Sequence, residues 1–429
     1  MKKSHHDLLA NLSVFFACVL LVGMVFSPFL LSVGMWFFVF TALGHAALEH
    51  PKPADFWANR SVWLARTAWV LAAAFRQFFC KKALLALSLL FWLPVVSGLW
   101  SDDLHFWLER VRVRLPFFVV PFAFANLPVL GARRLNGALA FLVWMLVLTC
   151  IGIGINYLVH FQEIMQAIEQ GRHIPVPRDH IRFSLTLAVG ILAAGWLSVQ
   201  KFQLRWAWER GVMWAATVFL FVFIHILSVR SGLVALYAAL FFTLGWFVVS
   251  TKKWLIGLAL LAGLLALPLL AVKTLPSVAQ KVAYMRWDWS QYSGATGGLY
   301  SDSGRMVSLR GGWDLAKKHP LLGVGTGDLP MEIQRFVDAN FPQYSRDPKL
   351  PHNQFMYILA ATGVLGLAVS LWAFYGLFFR KTYRRAYLLM AFQAVVFVSF
   401  LVEYTIETAI GVAFYLFFQL WFMKAAEEG

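Results

Sequence analysis

The stretch "KLPHNQFMYILAATGVLGLAVSLWAF", residues 349–374, sets Pro351, His352, Asn353 and Gln354 directly against an apolar run. A helix needs about 20 apolar residues to cross a bilayer, and this run supplies them. A proline and polar residues at its mouth read as a helix start. The rest of the chain repeats the pattern: of 429 residues, 60% are hydrophobic and 14% charged. That composition excludes an ordinary soluble domain and predicts an all-α polytopic membrane protein.

Working outward, spanning runs fall near residues 8–26, 28–47, 83–100, 115–130, 136–158, 182–200, 211–228, 231–250, 254–272, 353–379, 386–403 and 408–423. The expectation is therefore about twelve helices with both termini on one side. The fourth run contains Pro116, Pro121 and Pro128, so a kink or a partly re-entrant course is expected there. Short cytoplasmic loops carry the Lys/Arg excess. On one side fall Lys2, Lys3, the 48–82 connection, Arg133, Arg134, Lys252, Lys253 and "RKTYRRA" at 380–386, and that side is read as the cytoplasm. The basic, apolar N-terminus has no small-residue cleavage signature and reads as a retained first span. The chain divides into nine helices over 1–272, a large external loop over 273–352 with an amphipathic helix, and three helices over 353–429.

The net charge of +16 is dispersed among loops, so membrane topology explains it better than nucleic acid. Cys18, Cys80 and Cys150 lie in or beside apolar segments without metal-ligand spacing and read as buried hydrophobes. The histidines form no HxxxH or HExxH pair, so no metal is assigned. In "YSDSGRMVSLRGGWDLAKKHPLLGVGTGD", 300–328, Ser301 and Asp302 suit a helix cap and Met306, Leu309, Trp313 and Ala316 mark an apolar face.

The external side is rich in arginine, including Arg112, Arg114, Arg182, Arg230 and Arg305. A guanidinium matches phosphate oxygens bidentately, so the cluster suits a diphosphate; helix capping and pairing with acids are the competing reading. Arg230 sits in the tight hairpin "LSVRSG" at membrane depth, where an ionisable group is a functional candidate by default. His225, on the preceding helix, reads as a packing residue. His352 opens a span, where the helix dipole favours the neutral ring; it is either an interfacial anchor or a proton acceptor. Glu403 and Glu407 orient His352, bind sugar hydroxyls or are polar residues at helix ends, and the sequence leaves these readings open.

In order, "SVRSGLVALY", the arginine within "SDSGRMVSLRGGWDLAKKHPLLGVGTGD" and "PHNQFMYILAATGVLGL" resemble the O-antigen ligase and polymerase superfamily of bacterial envelope glycosyltransferases. "RSG" departs from the family pattern, which more often has Gly directly after the arginine. The resemblance implies a GT-C-like glycosyltransferase of the bacterial inner membrane. Glycan would pass from undecaprenyl diphosphate to a lipid A-core hydroxyl at the periplasmic face, with inversion and with no metal or other cofactor. By motif match His352 takes the place of the essential histidine, Arg230 that of the hairpin arginine and Arg305 that of the loop arginine. Arg182 is a looser match, and Arg112, Arg114 and Asn353 complete the expected substrate contacts. Protein-directed members commonly extend further than this chain's "FMKAAEEG", which favours ligase over protein O-oligosaccharyltransferase; polymerase is the main alternative and lipid-linked glycan transport a weaker one.

Overall fold

The computed structural model describes residues 2–49, 60–291 and 301–428. Its helices are Lys2–Phe26 (α1), Pro28–Glu49 (α2), Arg60–Cys80 (α3), Lys82–Ser97 (α4), Leu104–Arg114 (α5), Pro116–Asn126 (α6) and Gly131–Val159 (α7). There follow Phe161–Glu169 (α8), His180–Val199 (α9), Glu209–Leu227 (α10), Arg230–Thr251 (α11), Trp254–Thr274 (α12) and Pro276–Gln291 (α13). The last six are Ser301–Lys318 (α14), Leu329–Asn340 (α15), Gln354–Tyr375 (α16), Lys381–Arg385 (α17), Tyr387–Val402 (α18) and Ala409–Glu428 (α19).

Among the described residues nine helices are long and apolar enough to cross a membrane, or ten if α3 and α4 count as one span bent by 99°. These nine, α1, α2, α7, α9 to α12, α16 and α19, fall on nine of the twelve expected runs. The other three runs are α4, α6 and α18, which are shorter. The fourth run is corrected most: α6 has 11 residues, about 16 Å at 1.5 Å per residue, and the chain continues through Leu127, which is extended. Helix and extended tail still connect the two ends of the bundle. Arg114, just before α6, meets Glu407; the carbonyl of Asn126, which closes α6, accepts from His45 at 2.8 Å.

The two ends are defined by polar contacts. At one, Arg134 pairs with Asp7 at 2.9 Å and Glu428 accepts from the amides of Leu130 and Gly131, so both termini meet there. At the other, α5, α9, α14, α16, α18 and α19 converge on residues 403–407. The 48–82 connection, expected as a loop, contains α3, whose Phe75 and Phe78 pack on Phe118 and Phe122 of α6. The side chains of Lys2, Lys3, Arg60 and Arg66 lie outside the described residues.

The region of α14 and α15 is a small layer with its own core, in which Val307, Leu315, Leu329, Ile333 and Val337 pack with Tyr357, Ala360 and Ala361 of α16. The buried face of α14 differs from the expected one. Gly304, Val307, Ser308, Gly311, Gly312, Leu315 and Ala316 are buried, while Trp313 is 53% exposed. Small residues win this face because the neighbours come close: a Cβ at Gly311 would stand 2.9 Å from Phe336, and one at Gly312 2.8 Å from Met356. Of the expected apolar stripe, Ala316 shares this buried face, Met306 and Leu309 are half-buried and Trp313 points outward. The helix does begin at Ser301; the proposed caps Ser301 and Asp302 have side chains outside the described residues.

The loop after α14 explains why "HPLLGVGTGD" and "ATGVLG" belong together. Gly363 breaks α16 with φ 66° and ψ −170°, a conformation that L side chains rarely adopt. The break leaves backbone groups unpaired, which is costly inside a membrane. The loop pairs them: Val324 and Gly325 donate to Ala360 and Ala361 at 3.0 Å each, and Val364 donates to Pro320 at 2.8 Å. Asp328 then accepts from the amides of Asp102 and Asp103, fixing the loop to the turn between α4 and α5.

Candidate active site

The site is organised by the five residues Glu403–Glu407 between α18 and α19. Both carboxylates are buried, 4% exposed at Glu403 and 3% at Glu407. A charge so placed is tolerated only when paired and hydrogen-bonded. Glu407 accepts from Arg114 and, at 2.8 Å, from Gln354, while its backbone carbonyl accepts from Arg110. Gln354 completes the ring by accepting from the amide of Ile406 at 3.0 Å. Glu403 accepts from Arg305 of α14 at 2.7 Å and lies 4.0 Å from Arg182 of α9. Burial pushes the Glu403 carboxyl up, and Arg305 and Arg182 pull against that shift. Asp179 caps α9 through the amides of Ile181 and Arg182 and stands 3.6 Å from the Arg182 guanidinium, fixing its approach.

His352 lies beside this pair, its ring edge-on to Tyr404 with centroids 4.9 Å apart. Its Nδ1 is 2.9 Å from the Leu350 carbonyl. A carbonyl only accepts, so Nδ1 carries the proton and Nε2 the lone pair. Burial first, then the charge of Arg305, lowers the imidazole from 6.5 to about 4, with Lys349 and Arg182 adding to the effect. The ring is therefore neutral at pH 7. The α14 helix supports both partners, since Arg305 reaches Glu403 and Ser308 Oγ accepts from the His352 amide at 3.4 Å. Asn353 is engaged by the backbone at both polar atoms: Oδ1 caps α16 at the Met356 amide and Nδ2 donates to Leu401.

Arg230 opens α11 after a left-handed Ser228 at the end of α10, the hairpin expected from "LSVRSG". The glycine two places on fits a close approach, for a Cβ at Gly232 would stand 2.5 Å from Ser184 of α9. Arg230 and Lys281 are the charged residues lining an apolar cavity of about 490 Å³ bounded by α10, α11, α12 and α13. His225 also lines it, with both ring nitrogens bonded within the bundle, to Phe221 and Tyr237. Arg112 turns away from Arg110 and Arg114 and lines a different apolar cavity, of about 280 Å³, between α1, α2, α5, α6 and α19. The expected arginines thus divide. Arg182 and Arg305 share Glu403, Arg114 is committed to Glu407, and Arg112 and Arg230 line separate cavities.

Three residues escaped the sequence reading. His173 stacks on His180 with centroids 3.8 Å apart, and burial, His180, Lys281, Arg230 and Arg305 together lower it to about 3. Lys281 donates to the carbonyls of Gly171 and Arg172, and burial beside Arg230 lowers it to about 8. "HIPVPRDH" offers no spacing signal for this arrangement, because its partners lie in α11, α13 and α14. The carboxylates of Glu403 and Glu407 are already committed to guanidinium groups. Beside His352 the site offers the guanidinium groups of Arg305 and Arg182 and a neutral imidazole, which suits an anion.

No curated protein sequence matches the chain. Residues 215–371, the segment that holds the hairpin arginine, the loop arginine and the histidine, match the family model described as O-antigen ligase.

Proposed function

We propose that the chain is an O-antigen ligase of the bacterial inner membrane. It transfers glycan from undecaprenyl diphosphate to a sugar hydroxyl of lipid A-core at the periplasmic face. The family match supports chemistry of the O-antigen ligase and polymerase type. The observation that carries the assignment is the tautomer of His352, whose Nδ1 is turned to the Leu350 carbonyl so that Nε2 keeps the lone pair, on a ring that the charges of Arg305 and Arg182 reach. The acceptor hydroxyl attacks the anomeric carbon and gives its proton to Nε2, while the bond from that carbon to the diphosphate oxygen breaks. The diphosphate leaves as an anion stabilised by Arg305, Arg182 and Arg230, so cations matter more there than an acid. Glu403 holds Arg305 and Arg182 in place before substrate arrives. One displacement inverts the anomeric centre. The apolar cavity lined by Arg230 and Lys281 suits a lipid tail with a phosphate at its mouth.

A polymerase would share this donor and this base. Purified protein given lipid-linked glycan with and without lipid A-core separates the two: a ligase forms product only when the core is present. Lengthening of the donor in its absence would assign polymerisation instead.

A further inference from the structure

We propose that the end of the bundle holding both termini carries a binding site for a divalent transition-metal cation of the zinc class, built from His6, His45 and Glu49. It lies at the opposite end from His352 and is independent of the transfer reaction.

His6 comes from α1, and His45 and Glu49 come from α2, one helical turn apart and so on one face. One ligand atom from each lies within 4.8 Å of the others. His6 Nε2 is 3.2 Å from Glu49 Oε1, and the two imidazoles stand edge to face at 5.2 Å. His45 is oriented from behind: its Nδ1 lies 2.8 Å from the Asn126 carbonyl and must donate to it. Its Nε2 therefore keeps the lone pair that a metal would take. Metal-binding histidines are held in this way, with the other ring nitrogen bonded to a carbonyl or carboxylate. The acceptor is itself anchored, since the Asn126 side chain is buried and donates to the carbonyls of Phe122 and Ala74.

Two imidazoles and one carboxylate match the three protein ligands of a zinc site with one position left for water. Magnesium and calcium favour oxygen ligands and fit less well. Lys424 is the neighbouring cation that acts on His45, and it is paired with Glu428 at 2.8 Å. Glu49 and His6 are 47% and 27% exposed, which leaves the cluster open to a cation from solvent. A bound metal would tie the start of α1 to the end of α2, and through His45 to the end of α6. Sequence spacing hides the site because His6 is distant in the chain and the α2 pair is His-x-x-x-Glu.

The test uses untagged full-length protein in detergent, stripped with chelator and titrated with Zn²⁺, with Co²⁺ absorption reporting ligand geometry. We expect one equivalent of Zn²⁺ per chain and a Co²⁺ spectrum of nitrogen and oxygen ligation. Glu49→Gln and His6→Gln should each weaken binding at least about tenfold, whereas His5→Gln should not. Because Glu49 and His6 are partly exposed, both variants should fold. Absence of Zn²⁺ binding, or binding unchanged in both variants, would overturn the proposal and leave an ordinary His6–Glu49 ion pair.

Discussion

Glu403 and Glu407 stand four residues apart in one connection and each meets an arginine, but the two pairs are built differently. The side chains of Arg114 and Glu407 are 6% and 2% exposed, closed in by Gln354 and Arg110. Opposite Glu403, Arg305 is 30% exposed, with His352 and Arg182 beside it. The enclosed pair borders only a small cavity of about 20 Å³, too small for a sugar or a diphosphate. The open one keeps guanidinium N–H groups available while its carboxylate fixes their position. The contrast separates an arginine that holds the fold from one suited to a substrate, although sequence presents both as external arginines.

The largest expected effect falls on the enclosed pair. Arg114→Ala leaves Glu407 buried without its charge partner, and breaking such a pair costs about 3–5 kcal/mol. Thermal unfolding in detergent should show a large drop in midpoint or a failure to accumulate in the membrane. Arg305→Ala should behave in the opposite way, with a well-folded protein whose transfer rate falls by roughly 10²–10³, the typical result of removing one donor to a developing anion. If Arg305→Ala lost folding and Arg114→Ala lost only activity, the assignment of the two pairs would be reversed.

The pH dependence sharpens the same comparison. His352 is held near 4 against an ordinary 6.5, so as the pH falls the unfolded chain takes up this proton first. Its contribution to stability is complete above 6.5 and is lost as the pH falls toward 4. The transfer rate should accordingly stay flat between about pH 5 and 8 rather than decline near 6.5. Arg305→Ala removes a charge that lowers His352, so whatever activity remains should begin to fall at a higher pH than in the wild type. A pH–rate profile of both proteins checks the direction.

The smallest effect concerns Asn353. Asn353→Ala removes the cap of α16 and should cost about 1 kcal/mol, whereas Asn353→Asp keeps an acceptor for the Met356 amide. Equal transfer by the Asp variant and the wild type supports a capping role; an inactive but stable Asp variant would return Asn353 to the substrate contacts.

The order of apolar runs, the placing of His352 at the start of α16 and the hairpin at Arg230 were legible because each depends on hydrophobicity and spacing along the chain. Other features depend on partners distant in sequence. Nothing local to Glu403 names Arg305, and nothing in "HIPVPRDH" names Lys281. The close-packed face of α14 was not legible because its glycines and serines serve closeness rather than apolarity. The short α6 was anticipated only as an irregularity at three prolines, since its extended tail is fixed by packing around it. "HPLLGVGTGD" carried the resemblance, but its task of pairing the broken backbone of α16 shows only when both segments are placed together.

The central claim is that His352 takes the acceptor proton, and purified protein with lipid-linked glycan and lipid A-core tests it directly. His352→Ala should keep the wild-type unfolding midpoint to within about 1 kcal/mol and lose transfer by roughly 10²–10⁴. Ligated core forming at the wild-type rate in that variant would contradict the account.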